Sequence, residues 1–266
     1  MPVLSFQAER RHYGVSDGLI CHALTKRFGG VTAIDNVSLT FRPGTVTALI
    51  GPNGAGKTTL FHLIGGYLGL DAGEISFRGK RLNGLDPWKI ARAGIGRQFQ
   101  DVRVFAQMSV LENVMTAFPD QTGENPAAVL FRPRMVAREE AKRREAAQVL
   151  LETVSLQEHA AAAAGTLSHG QQKLLAIGRL LAGGADALLL DEPTAGVNAA
   201  LIETLGVCVR GLAQSGRTVL LIEHNKEVVA GLADWVHVLE GGRVVASGLP
   251  GVVLSERSVR SGYLGL

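Results

Sequence analysis

Cysteine is almost missing from this chain of 266 residues, with Cys21 and Cys208 its only two. Each sits among apolar neighbours with no metal-ligand spacing around it, which excludes a disulfide framework and a zinc site. Both read as buried free thiols of a reducing compartment, the cytosol. Long apolar runs are also lacking: none approaches the roughly 18 residues of a membrane span. The stretch from Met1 to Gly18 mixes Glu9, Arg10, Arg11 and His12 without an apolar centre, so residues 1–18 read as a tail rather than a secretory signal. No stripe of clustered Lys and Arg with interleaved aromatics occurs, and the net charge is only +3, so nucleic acid is not an expected partner. The densest basic stretch, Arg132 to Arg144, is interrupted by Glu139, Glu140 and Glu145. Glu139 with Arg143 and Glu140 with Arg144 stand at i,i+4, the pattern of a solvated helix face. No internal repeat shows.

What is present is a globular composition, 46% hydrophobic against 19% charged, with glycine concentrated at informative places. Residues 51 to 59, Gly51-Pro52-Asn53-Gly54-Ala55-Gly56-Lys57-Thr58-Thr59, match the phosphate-loop pattern of a Gly, four free positions, then Gly-Lys-Thr. The run Thr45 to Ile50 before it reads as a buried parallel strand. Thr59 to Ile64 after it has apolar residues at helical spacing and stops at Gly65-Gly66. Such a loop aims successive N–H groups at one anion, and the helix start adds its positive end. Lys57 would reach the β- and γ-phosphates, and the Thr58 hydroxyl would hold Mg²⁺.

A second apolar run, Leu188-Leu189-Leu190, ends in Asp191-Glu192-Pro193. Beside a phosphate loop, Asp191 would support Mg²⁺ through its waters and Glu192 would orient and deprotonate an attacking water. Taken alone, the same run is also a buried strand that simply ends at two solvated acids.

The remaining chain alternates strands and helices, which predicts an α/β fold with a largely parallel sheet. Strands are expected at Leu19 to Phe28, Val37 to Phe41, Glu74 to Arg78, Ile95 to Phe99, Thr218 to Ile222 and on both sides of Gly241-Gly242. Turns are expected at Gly29-Gly30, Asp35-Asn36, Pro43-Gly44 and Asp71-Ala72-Gly73. Helices are expected at Val110 to Phe118, Val136 to Val154, Gln172 to Leu181, 199 to 213 and after Asn225. The strand-poor middle, roughly 101 to 182, reads as an inserted helical subdomain.

Leu167-Ser168-His169-Gly170-Gln171 narrows the reading, because it resembles the Leu-Ser-Gly-Gly-Gln signature of ATP-binding cassette (ABC) ATPases. His169 stands where that family usually has Gly. Other family positions follow in order: Phe28 for the aromatic that stacks on adenine, Gln100 for the Q-loop, Ala195-Gly196-Val197-Asn198 for the D-loop with Asn198 in place of Asp, and His224 for the switch histidine. Each has a plain alternative. Phe28 alone could be a core aromatic, Gln98 competes with Gln100, and His224 alone could be a hydrogen-bonded core histidine. Asn225-Lys226 fails as a GTPase motif because position 228 is Val. His62, His159 and His237 carry no motif.

The resemblance covers about residues 19 to 266 and implies an ABC nucleotide-binding domain. Its fold would be a P-loop NTPase core with a largely parallel sheet, an N-terminal antiparallel β subdomain and the inserted helical subdomain. It implies an ATPase using ATP and Mg²⁺. Gly51 to Thr59 would bind the phosphates, and Thr58, Gln100 and Asp191 would serve the metal. Glu192, His224, Gln100 and Lys57 would carry the chemistry. Ser168, Gly170 and Gln171 would cover the ATP of a second cassette, paired head to tail as a homo- or heterodimer. Phe99 to Phe105, Ile222 to Asn225, the D-loop and Tyr263-Leu264-Gly265 look like prokaryotic branched-chain amino acid importers. Gly94 to Arg97 and Leu167 to Gly170 also occur in urea and amide importers. Permease subunits and, indirectly, a solute-binding protein are implied, with the chain peripheral at the cytoplasmic face of the inner membrane. The permease is expected to dock where Gln100 joins the helical subdomain, with Val104, Phe105 and Met108 supplying apolar contact, unless Val104 and Phe105 cap the subdomain core. A non-transport ABC ATPase would usually show two fused cassettes or a long coiled-coil insertion, and neither is present.

Overall fold

The computed structural model describes residues 18–255, so the expected tail up to residue 17 and the Tyr263-Leu264-Gly265 motif lie outside the described residues. In chain order the first elements are β1 (Leu19–Phe28), β2 (Val31–Phe41), β3 (Val46–Ile50), α1 (Lys57–Ile64), β4 (Ala72–Phe77), β5 (Lys80–Arg81) and α2 (Pro87–Arg92). There follow β6 (Ile95–Gln98), α3 (Val110–Met115), α4 (Pro126–Phe131), α5 (Pro133–Thr153), α6 (His169–Ala182), β7 (Ala187–Asp191) and α7 (Ala199–Gln214). The last elements among the described residues are β8 (Thr218–Ile222), α8 (Lys226–Leu232), β9 (Trp235–Glu240), β10 (Arg243–Gly248) and α9 (Pro250–Val253). The described residues divide into two compact units, one of residues 18–90 and 209–255, the other of residues 91–208, with the boundaries falling inside α2 and α7.

In the first unit, β3 lies between β8 and β9, parallel to both, with Leu49 opposite Ile222 and Ala48 opposite Val236. A strand paired on both edges and covered on both faces is mostly apolar, and all five positions of β3 and of β8 are buried, Thr47 and Thr218 included. The β9–β10 hairpin adds an antiparallel edge. A separate antiparallel sheet runs β2-β1-β4-β5, the β subdomain expected near the N-terminus. The Cys21 thiol in β1 is pushed up to about 12 by burial, as is Cys208 in α7, so neither is a nucleophile at neutral pH.

In the second unit, β6 pairs parallel with the fully buried β7. Residues 101–182 carry four α-helices, three short 3-10 helices and one antiparallel bridge, Ser109 to Ala163. Helix α3 starts in a capping box of Ser109 and Glu112. The α5 face is solvated as expected, with Glu139 and Arg143 paired, whereas Glu140 and Arg144 form no ion pair.

The structure corrects several local expectations. Asp35-Asn36 is not a turn but an irregular part of β2, where Asn36 takes φ 53. The Asp35 amide donates to the Gly242 carbonyl at 2.9 Å and its carboxylate pairs with Arg243 at 2.6 Å, which holds the strand extended through this point. Ala72 and Gly73 belong to β4, because Ala72 pairs with Thr25. Between the helices expected at Val110 to Phe118 and Val136 to Val154, a further helix, α4, forms where the Asn125 side chain accepts from the Ala127 amide and Pro126 occupies the first turn. The short elements β5, α2 and α9 were not expected from the sequence pattern.

Candidate nucleotide-binding site

Chain geometry alone fixes much of the phosphate loop. It leaves the C-terminal end of β3 and runs into α1, whose N-cap is Gly56 at φ 103 with no side-chain cap. A Cβ at Gly56 would stand 2.5 Å from the Ala33 carbonyl oxygen, so only glycine fits both the dihedral and the space. The loop is held from below by the Gly242 amide, which donates to the Ala55 carbonyl at 3.1 Å. Lys57 is buried, and its ammonium donates to the carbonyls of Gly51 (2.7 Å) and Pro52 (2.9 Å). Asn53, Gly54 and Thr58 are exposed at the rim. Uncapped amides at a helix start beside a buried cation form an anion site.

His224 follows β8 and is exposed. Because Leu49 faces Ile222 in the parallel register, the loop from Gly51 and the segment carrying His224 leave their strands at the same end of the sheet. Phe28 ends β1 at the hairpin with Val31 and is 46% exposed, which removes the core-aromatic alternative. The Lys26 ammonium lies 5.5 Å from its ring centroid.

In the second unit, Asp191 ends β7 and is buried. Its Oδ2 is 3.2 Å from the Arg97 guanidinium on β6, with side-chain exposures of 4% and 7% for Arg97 and Asp191. Glu192 follows in the left-handed region at φ 48 and is half-buried. Gln100 is exposed just past β6, whereas the Gln98 side chain turns inward and reaches the Lys173 carbonyl at 3.5 Å, which separates the two competing glutamines.

The signature forms the start of α6. Ser168 is its N-cap, accepting from the Gln171 amide, while the Gln171 side chain accepts from the Ser168 amide. The Gln171 side-chain nitrogen also meets His159 Nε2 at 2.8 Å. Gln171 is therefore committed to shaping the helix start, and the Ser168 hydroxyl keeps its own proton to donate. A Cβ at Gly170 would come 2.2 Å from Leu201 Cδ2 and 2.8 Å from Val197 Cγ1, so this glycine lets the D-loop and α7 approach α6. Asn198 Oδ1 accepts from the Leu201 amide at 2.9 Å, which preserves at the head of α7 the cap that an Asp would give.

Two buried cations escaped the sequence reading, Arg97 and Lys173. The signal existed for Lys173: Gly170, Lys173, Leu174, Ile177, Gly178 and Leu181 form the buried stripe of α6, and a charge in such a stripe needs a partner.

These features define a phosphate-loop ATPase of the ATP-binding cassette class, with an α/β core and a capped signature helix. The chain belongs to the ABC transporter family, which matches residues 34–195, more than half of its length. It is 39% identical over 243 residues to BraF, the high-affinity branched-chain amino acid transport ATP-binding protein of Pseudomonas aeruginosa, covering 91% of this chain and 95% of BraF. It is 37% identical over 248 residues to LivG, the protein of the same description in Salmonella typhimurium, covering 93% of this chain and 97% of LivG. The solved ADP conformation of MJ1267, an ATP-binding cassette of an ABC transporter, matches with a TM-score of 0.81 at 35% identity, covering 94% of this chain and 99% of that one.

Proposed function

We propose that this chain is the ATP-hydrolysing subunit of a prokaryotic importer for branched-chain or other hydrophobic amino acids. The observation that carries the reading is the phosphate loop, acid pair and signature together in a chain similar to BraF and LivG over more than nine-tenths of its length. Residues 19–266 form the nucleotide-binding domain, with residues of about 101–182 as its helical subdomain. Phe28 stacks on adenine, and Gly51 to Thr59 wrap the phosphates with Lys57 as the point charge. Glu192 takes the proton of the attacking water and His224 contacts the γ-phosphate.

The donors fit Mg²⁺. Asp191, Thr58 and Gln100 offer hard oxygen atoms, and among the described residues no group of three His, Cys, Asp or Glu forms a protein-only metal cage. These residues would hold the ion together with the nucleotide, and the ion would supply positive charge to the phosphates.

Ser168 and Gly170 serve the ATP of a second cassette bound head to tail, so that triphosphate favours the pair and hydrolysis loosens it. No described helix is long and apolar enough to cross a membrane. On this reading transport rests on permease subunits, with this chain peripheral at the cytoplasmic face and a solute-binding protein delivering the amino acid. The deciding experiment is Glu192→Gln in the complex reconstituted with its permease and binding protein. Turnover should fall about 10²–10⁴-fold while ATP binding and an ATP-dependent dimer persist. Retention of more than half the activity, or wild-type hydrolysis unchanged by leucine-loaded binding protein, would reject the reading.

A further inference from the structure

The side chain of Lys173 is almost wholly removed from water, at 1% exposure, on the apolar stripe of α6. A buried ammonium is costly unless its donors are met, so a lysine at a stripe position has to be held by specific acceptors. Its Nζ donates to the backbone carbonyls of Glu192 at 2.8 Å and Ala195 at 2.6 Å. These carbonyls bracket the turn that follows β7, where Glu192 adopts the left-handed φ of 48 and the Ala195 amide closes back on the Glu192 carbonyl at 3.2 Å. A left-handed non-glycine residue costs energy and persists only where its surroundings fix it. A cation bonded to both ends of the turn supplies such a fixture, since charge-assisted bonds are shorter and stronger than neutral ones.

From this geometry we infer that Lys173 is a positioning residue for ATP hydrolysis, acting through the backbone of Glu192. It rests on the proposed role of Glu192 as the base. The ammonium fixes the peptide that carries the carboxylate, so its loss leaves phosphate binding intact and lets the carboxylate wander from the attacking water. Lys173 lies one helical turn beyond Gly170, where the same helix packs on Val197 of the D-loop. The first two turns of α6 thus join the signature, which faces a second cassette, to the turn bearing this chain's own catalytic acid.

The test compares Lys173→Met and Lys173→Arg in the full chain. Met fills the aliphatic space without the charge, and Arg restores a donor cation. Displacement of a catalytic group by about 1 Å can cost on the order of 10²-fold. Lys173→Met should lower kcat about 10- to 100-fold with KM for ATP within about 2-fold, and Lys173→Arg should recover at least half of that loss on a logarithmic scale. Hydrogen exchange of the amides of 192 and 194–198 should quicken in the Met variant while α6 stays protected. If Met does not fold, Lys173→Gln, which keeps a neutral donor, provides the same contrast with Arg. A kcat within about 2-fold of wild type, or kcat and KM falling together with global protection, overturns the inference. Glu192→Gln measured alongside separates the two readings. If it stays active, the base assignment fails. If it is inactive while Lys173→Met turns over normally, only the Lys173 inference fails.

Discussion

Arg97 places a guanidinium nitrogen 3.2 Å from Oδ2 of Asp191, and almost no water reaches either side chain. The Arg97 guanidinium also lies 4.7 Å from the Phe99 ring centroid, which adds a cation–π contact. Removing one member of a buried ion pair leaves the other uncompensated, a loss of about 3–5 kcal/mol. Arg97→Leu should therefore destabilise the protein by about 3 kcal/mol in urea unfolding, with Arg97→Lys intermediate. A loss under about 0.5 kcal/mol would show that Asp191 does not depend on this partner.

Ser168→Arg separates a head-to-tail cassette from an enzyme that works alone. The position is exposed at a helix start, so a large cation can be carried there without disturbing the core. ATP binding to the isolated subunit should be unchanged, while the ATP-dependent dimer and hydrolysis are lost. Wild-type turnover in this variant would remove the paired mechanism.

Phe105 is the test of permease docking. Its ring is 50% exposed, with the Arg179 guanidinium 5.1 Å from its centroid, so it does not cap the subdomain core. Its backbone is fixed by the buried Asn113 side chain, which accepts from the Phe105 amide at 2.9 Å and donates to its carbonyl at 3.0 Å. Phe105→Asp should leave folding and soluble ATP binding near normal, yet uncouple uptake from hydrolysis in the reconstituted transporter. Full transport by the variant would move the docking surface elsewhere.

His237 predicts an acid limb of stability. Burial pushes its imidazole down from 6.5 to about 4, with Nδ1 at 2.7 Å from Ser247 Oγ and Nε2 buried without a hydrogen-bond partner. The unfolded chain binds the proton more tightly than the fold, so this contribution is complete above pH 6.5 and declines as pH falls towards about 4. Urea midpoints of wild type should drop between pH 7 and pH 5 by more than those of His237→Gln. Equal drops would show that His237 carries no part of the limb.

The motifs were legible because their residue types answer to local chemistry. The phosphate loop needs Gly56 and Lys57 whatever lies around it, and Ser168 with Gln171 spells a capping box in four letters. Strands β1 and β8 were readable to the residue, since their composition and flanking turns agree. Asp35-Asn36 misled for a tertiary reason: Arg243 and Gly242, some two hundred residues away, hold as strand what local propensity favours as turn. Arg97 and Lys173 were missed on the same ground, because a buried charge declares its purpose only when its partner is visible. Helix α4 carries its own start signal in Asn125-Pro126, an N-cap followed by proline in the first turn.

The Lys57 ammonium begins from a satisfied position on the Gly51 and Pro52 carbonyls, and this sets an entry threshold for the loop. An incoming anion has to draw those donors away, exchanging one set of bonds for another rather than answering a bare charge. A lone phosphate offers little beyond that exchange. A nucleotide held as proposed would also engage the amides at the α1 start and the Phe28 ring, and would gain from each. On that proposal the loop would filter by the number of groups a ligand engages at once, and a free phosphate, the product of hydrolysis, would gain least from it.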